Sequence, residues 1–241
     1  MASAFPVYLP TDAPPRFPDP SRCDGEGLVA VGGDLSVARL LAAYRAGIFP
    51  WFDERVPPLW WSPDPRTVIT AESLHVARRL RRTMRAARFT VSWDRAFERV
   101  MRACGQRRVD GTWVTADMVA AYGELHALGH AHSLEVWAGD ALVGGIYGVH
   151  VGAVFAGESM FHRVPDASKV ALVALASFLF GAGVEVLDVQ LTTSHLLRMG
   201  ATEISRKRYL TQVADLRDRP VVLRWDDDPA RHRPTAAFIA G

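Results

Sequence analysis

The feature that most constrains this chain is a block of strand-forming runs at 132–137, 142–150 and 154–161, followed at once by a long apolar segment. Gaps this short permit only antiparallel pairing, because a parallel partner needs a crossover of roughly a dozen residues. Gly139-Asp140 supplies the first turn. The apolar segment 170–184 contains Ser177, Gly181 and Gly183 and is shorter than the roughly 20 residues of a membrane span. It is expected to be a buried helix running to about 181, with Ser168 as its cap.

Around this meander, helices are expected over 73–86, 95–104 and 116–128, with Thr115 and Gly129 bounding the last. Strands are expected at 89–92, 184–190 and, at the sheet edge, 203–205, a short helix at 195–199, and a helix at 208–216. The order is not an alternating βαβ pattern, so the expected class is α+β with a mixed sheet flanked by helices.

The first third reads differently. Six prolines between Pro6 and Pro20 make an extended lead-in. Residues 27–31 suggest a buried strand and Gly32-Gly33 a turn. Ser36 can cap a helix over 37–46 with Leu40, Leu41 and Tyr44 on its inner face. The Pro- and Trp-rich stretch Pro57-Pro58-Leu59-Trp60-Trp61-Ser62-Pro63-Asp64-Pro65 marks a boundary. The expected organisation is a small N-terminal domain (1–64), a larger domain (65–225) and a loose tail (226–241).

Composition excludes several classes. Hydrophobic residues make up 49% and charged residues 22%, which is globular rather than disordered. Two cysteines, Cys23 and Cys104, make neither a disulfide scaffold nor a Cys-rich zinc module. The N-terminus has no signal-peptide pattern, so a cytoplasmic location is expected. The Gly-rich segment 25–33 lacks the Lys-Ser/Thr of a P-loop and reads as a turn. Gly157-Glu158-Ser159-Met160-Phe161 imitates a nucleophile elbow but sits in a meander strand. His130 and His132 have no third ligand at suitable spacing, and no metal is expected.

Three signals remain open to chemistry. Residues 78–88 hold six arginines with no acid between Glu72 and Asp94. Arg78, Arg81, Arg82 and Arg85 fall on one helical stripe, either a solvated face or, the reading favoured here, a phosphate-binding one. Seven tryptophans include Trp51 and Trp113 in loops beside Pro or Gly. Core packing is the default for these, base stacking the sharper alternative. Glu158, Asp188 and Gln190 are polar residues within apolar strands. Either they pair with a nearby Arg or Lys169, or they face a cationic ligand.

The order of several motifs resembles the leucyl/phenylalanyl-tRNA–protein transferase family. The runs are Gly-Leu-Val-Ala-Val-Gly-Gly-Asp-Leu (27–35), Ala-Gly-Ile-Phe-Pro-Trp-Phe (46–52), Trp-Trp-Ser-Pro-Asp-Pro-Arg (60–66), Gly-Thr-Trp-Val-Thr (111–115), Gly-Glu-Ser-Met-Phe (157–161), Asp-Ala-Ser-Lys-Val-Ala-Leu (166–172), and Asp-Val-Gln (188–190) with His195-Leu196. The resemblance implies transfer of Leu or Phe, and less well Met, from aminoacyl-tRNA to proteins with N-terminal Arg or Lys. These would thereby be marked for N-end rule degradation. It also implies a larger domain of N-acetyltransferase (GNAT-type) fold.

By the same resemblance, Trp51, Trp113, Tyr44 and Tyr122 hold the terminal adenosine. Glu158, Asp188 and Gln190 face the acceptor and the ester, and Met160, Leu172, Leu175, Leu187 and Ile146 line the amino-acid pocket. Arg78, Arg81, Arg82 and Arg85 would grip the acceptor stem. Because the ester is already activated, no cofactor is implied. A monomer without a membrane partner is expected. Two departures stand out: Val189 in the Asp-Val-Gln run, and Leu197-Arg198 where the pattern has Ser-Leu.

Two rivals remain. An acetyl-CoA-dependent acetyltransferase would need a glycine loop for pyrophosphate, but 163–169 has no Gly and carries Asp166. A non-catalytic RNA-binding protein would leave Glu158, Asp188 and Gln190 without a task.

Overall fold

The computed structural model describes residues 5–86, 88–106, 114–225 and 232–239. Its first sheet uses strands β1 (Val7–Leu9), β2 (Leu28–Gly32), β3 (Phe49–Pro50) and β4 (Leu59–Trp61), in the order β1-β2-β4-β3. Helix α1 (Val37–Arg45) links β2 to β3, and the Ser36 hydroxyl accepts from Arg39 N at its start. Leu40 and Tyr44 are buried and Leu41 is half-buried. Trp60 is fully buried and donates from Nε1 to Gly32 O at 2.8 Å, which locks β4 onto the turn after β2.

The second sheet has eight strands. They are β5 (Arg66–Ile69), β6 (Thr90–Trp93), β7 (Ala131–Ala138), β8 (Ala141–Val151), β9 (Val154–His162), β10 (Val186–Gln190), β11 (Thr202–Ile204) and β12 (Arg233–Pro234). The spatial order is β11-β5-β10-β9-β8-β7-β6-β12. The meander β7-β8-β9 is antiparallel throughout, and β10 joins β9 in parallel after the crossover helix α5 (Ala167–Ala182). The sheet is therefore mixed, as its sequence pattern requires.

Helix α5 packs on one face with α2 (Arg78–Arg85), burying Leu80 and Met84. Helices α3 (Phe97–Gly105) and α4 (Ala116–Ala127) cover the other face, where Tyr44 of α1 also packs. Helix α6 (Ser194–Arg198) follows β10, and α7 (Arg206–Leu216) closes a third, smaller cluster around Val68, Val186 and Val213. Among the described residues, no helix is long and apolar enough to cross a membrane.

Several boundaries differ from expectation. Helix α2 starts at Arg78 rather than near residue 73, because residues 70–77 are held by a Ser73 turn and by His75 N donating to Met199 O. Ser168 does not cap α5. Asp166 holds that position in a left-handed conformation, and Ser168 lies buried in the first turn. The tail is not loose where it is described: β12 pairs with β6, Thr235 donates to Met84 O at 2.7 Å, and Phe238 and Ile239 enter the core. Those two apolar side chains give the segment a reason to dock.

Candidate active site

The parallel ladder between β9 and β10 runs from Val154↔Val186 to Ala156↔Asp188 and stops there. Beyond it the strands part, and each carries a bulge. On β9 the register jumps from Gly157↔Gly148 to Ser159↔Tyr147, leaving Glu158 unopposed. On β10 it jumps from Asp188↔Val68 to Gln190↔Thr67, leaving Val189 unopposed, with Gln190 at φ 55°. A bulge re-aims side chains and ends pairing. Here two of them open a cleft of about 290 Å³, bordered by Phe49, Trp51, Glu158, Met160, Gln190 and Leu196.

Glu158 is the acid of this cleft. Tyr44 donates its hydroxyl to Oε1 at 2.7 Å, and the Tyr122 hydroxyl stands 3.5 Å from Oε2. The two tyrosine hydroxyls also share a hydrogen bond. Burial pushes the Glu158 carboxyl up to about 8, against the pull of the Tyr44 hydroxyl, and the nearby Asp188 charge adds to the rise. The expectation that Tyr44 and Tyr122 stack on adenosine is not met. Both rings are buried, Tyr122 completely, edge-on to Tyr147. They hold Glu158 and present no open face to a base.

Asp188 lies one layer deeper, at 0% exposure. Arg66 grips it with both prongs, Nε to Oδ1 at 2.8 Å and Nη2 to Oδ2 at 2.7 Å. Tyr209 donates to Oδ2 at 2.7 Å, and Gln190 N donates to Oδ1 at 3.0 Å. The Arg66 guanidinium is sandwiched between the Phe49 and Tyr209 rings. With four donors around it and no exposed atom, Asp188 has no open path to a substrate. What it does hold is the backbone of Gln190 in its left-handed conformation. Gln190 itself reaches the cleft, and its Nε2 lies 3.4 Å from Asp188 O.

The other expected residues divide. Trp51 is 41% exposed at the cleft mouth, edge-on to Trp61, whose Nε1 donates to its carbonyl. Trp113 lies outside the described residues. Met160 borders the cleft. Ile146, Leu172, Leu175 and Leu187 do not: they are core residues between the sheet and α5, at most 4% exposed. Gly157 lies over Ile146 and Leu187, and a Cβ there would come within 3.9 Å and 3.6 Å of them.

Arg78, Arg82 and Arg85 are exposed along α2. Arg81 is half-buried and donates to Val76 O. Among the described residues none of these four has a carboxylate partner. Ser159 lies in a strand, not at a turn. His132 bonds Asp94 through Nδ1 and His126 Nδ1 bonds Ala131 O, so His132 converges with Asp94 and His126, their ligand atoms within 4.8 Å of one another, rather than with His130.

Sequence reasoning missed the partner of Asp188. Arg66 is 122 positions away, and Lys169, the alternative, pairs with Asp166 instead. The available signal was that Arg66 ends the Trp-Trp-Ser-Pro-Asp-Pro-Arg run. Arg206 was also missed. It donates to Cys23 O, Asp24 O and Ser62 O, each at 2.7 Å, and so ties α7 to the N-terminal region.

Comparison with known proteins identifies the family. A family profile described as leucyl/phenylalanyl-tRNA protein transferase matches residues 68–214, and the profile of that family's N-terminal domain matches 33–64. A leucyl/phenylalanyl-tRNA–protein transferase of Anaeromyxobacter dehalogenans (strain 2CP-C) is 53% identical over 231 residues, 94% of this chain and 98% of the relative. One from Solidesulfovibrio magneticus is 50% identical over 225 residues, covering 92% and 91%. One from Syntrophobacter fumaroxidans is 54% identical over 202 residues, covering 83% and 86%. Matches of this length and identity across both sheets place the chain in the leucyl/phenylalanyl-tRNA–protein transferase family, a family of aminoacyltransferases.

Proposed function

We propose that this protein moves Leu or Phe, and less well Met, from aminoacyl-tRNA to the α-amino group of proteins beginning with Arg or Lys. The observation that carries this reading is Glu158, an acid held at the wall of an otherwise largely apolar cleft by two tyrosine hydroxyls. Among the described residues Glu158 forms no ion pair, the Arg66 charge acting on it only from beneath, and a half-buried carboxyl of this kind can receive a cation. The relatives, leucyl/phenylalanyl-tRNA–protein transferases, point to the donor, an aminoacyl-tRNA, and the acceptor, a protein.

In this reading the terminal adenosine stacks on the open face of Trp51, with Trp113 as its expected partner. The amino-acid side chain lies against Met160, and the core layer of Ile146, Leu172, Leu175 and Leu187 limits how deep it goes. The acceptor's α-amine attacks the ester carbonyl carbon. A C–N bond forms, the C–O bond to ribose breaks, and the amine's proton ends on the ribose oxygen. The amine has a pKa of about 7.7–8.0, so a neutral fraction is available without a strong base.

Gln190 offers its side-chain carbonyl to the attacking amine, and Asp188 is its positioning residue. Orientation of two bound substrates supplies much of the acceleration. Arg78, Arg82 and Arg85 hold acceptor-stem phosphates, which carry no sequence information. The division at 64/65 separates the two sheets. The enzyme works as a cytoplasmic monomer, and its product enters N-end rule degradation.

The test is transfer of radiolabelled Phe from charged tRNA to peptides starting with Arg or Ala. Label on the Arg peptide alone, lost with Glu158→Ala, is the expected result. Equal labelling of both peptides would refute the acceptor assignment, and no labelling of either would refute the reaction.

A further inference from the structure

A second, larger cavity of about 930 Å³ adjoins the cleft, and Met160 borders both. Its walls carry four cations, Arg79, Arg163, Lys169 and Arg198, against one acid, Asp166. Only Lys169 is matched by that acid, at 2.8 Å. Arg79 and Arg198 are exposed and, among the described residues, have no carboxylate partner. His195 also lines the cavity, and its buried Nε2 has no hydrogen-bond partner. A concave surface with a charge excess of this size fits a polyanion.

The position of the cavity narrows the choice. On one side it shares Met160 with the cleft. On the other, Arg79 belongs to α2, the helix that carries the arginine stripe. We infer that the cavity seats the last internucleotide phosphates of the acceptor strand, between the ester in the cleft and the stem on α2. Arg198 and Arg163 donate to the phosphate oxygens. Burial, with the fields of Lys169 and Arg198, holds His195 below the usual imidazole range, in keeping with a positive pocket awaiting an anion. This rests on the reading of the protein as a user of aminoacyl-tRNA.

The same positive charge could meet a diphosphate such as that of coenzyme A, and the test separates the two. Binding of a fluorescently labelled CpCpA trinucleotide, of adenosine and of coenzyme A is measured on the wild-type chain and on Arg198→Ser, Arg198→Lys and Arg163→Gln. Arg219→Ala, at the opposite end of β10 where Arg219 pairs with Glu185, serves as the charge control.

Arg198→Ser and Arg163→Gln should each weaken CpCpA binding about tenfold, the loss of one charge-assisted contact. They should also reduce the salt slope by about 0.7 per lost phosphate contact. Adenosine binding should not change, Arg198→Lys should recover most of the affinity, and Arg219→Ala should match wild type. Undiminished CpCpA binding by both variants would overturn the inference, as would equal losses for adenosine or tighter binding of coenzyme A than of CpCpA. If the wild type failed to transfer Phe while CpCpA binding still depended on Arg198, the reaction would fall and the phosphate seat would stand.

Discussion

Replacing Asp188 by Ala should unfold part of this protein's margin of stability before it says anything about chemistry. The substitution removes both acceptors of Arg66, which is 1% exposed and already has Nη1 without a partner. It also strips the acceptor from Tyr209 and from the Gln190 amide. Removing one partner of a buried ion pair costs about 3–5 kcal/mol, because the remaining charge stays buried. At about 2–4 °C per kcal/mol for a chain of this size, Tm should fall by roughly 6–20 °C. Denaturant unfolding of Asp188→Ala, and of the cycle Asp188→Leu, Arg66→Met and Arg66→Met/Asp188→Leu, measures the loss and the coupling. The double variant should recover most of the stability, since apolar replacement of a buried pair is often neutral. Its kcat should stay low, because Gln190 N still has no acceptor, whereas KM for the acceptor peptide should change little. A loss below about 1 kcal/mol in Asp188→Ala would refute the buried-pair reasoning. Recovery of kcat together with stability in the double variant would refute the positioning role.

Glu158, with its carboxyl pushed up to about 8 by burial, is mostly protonated at pH 7 in the free protein. Binding an Arg peptide should release close to one proton at pH 7, and affinity should rise as pH climbs towards 8. Calorimetry in buffers of different ionisation enthalpy reads the proton directly, and zero release would contradict a Glu158–cation contact. Glu135 is fully buried, and burial raises its carboxyl to about 7 against the hydroxyls of Ser133 and Ser92. Because its folded value exceeds the unfolded one, its stability contribution is complete below about 4.5 and fades as pH rises through 7. That amounts to roughly 3 kcal/mol, and Glu135→Gln should flatten this part of the stability–pH profile. Gly200→Ala should be among the most damaging single changes, since φ is +94° and the new Cβ would sit 1.8 Å from Ser73 O; an unchanged Tm would contradict this geometry.

Much of the sheet was legible because local signals and tertiary packing agree there. Gly139-Asp140 turns β7 into β8, Thr115 accepts from Met118 N at the start of α4, and Ser36 caps α1. Misreadings arose where backbone conformation or a distant contact overruled a local cue. Ser168 looked like a cap, but the preceding Asp166 adopts the left-handed conformation and takes the position. The tail over 226–241 looked loose, yet Phe238 and Ile239 find the core. Tyr44 and Tyr122 looked like stacking rings. Their hydroxyls are spent on Glu158, and the burial that requires closes their faces.

By itself the sequence determined the class of fold, since period-two runs with turn-length gaps must form an antiparallel meander, and it marked the polar residues that apolar strands could not carry without a reason. It also determined the family, through ordered motifs in both halves of the chain. Which of those polar residues lines the cleft and which is sealed beneath it was decided only in three dimensions. Glu158 and Asp188 look equivalent along the chain. The bulge on β9 swings one to the cleft wall, while the β5–β10 pairing brings Arg66 from 122 positions away to neutralise the other. Strand register and bulges arise from contacts between distant segments, and a carboxylate's role follows from the charges and solvent around it, which a linear pattern does not carry.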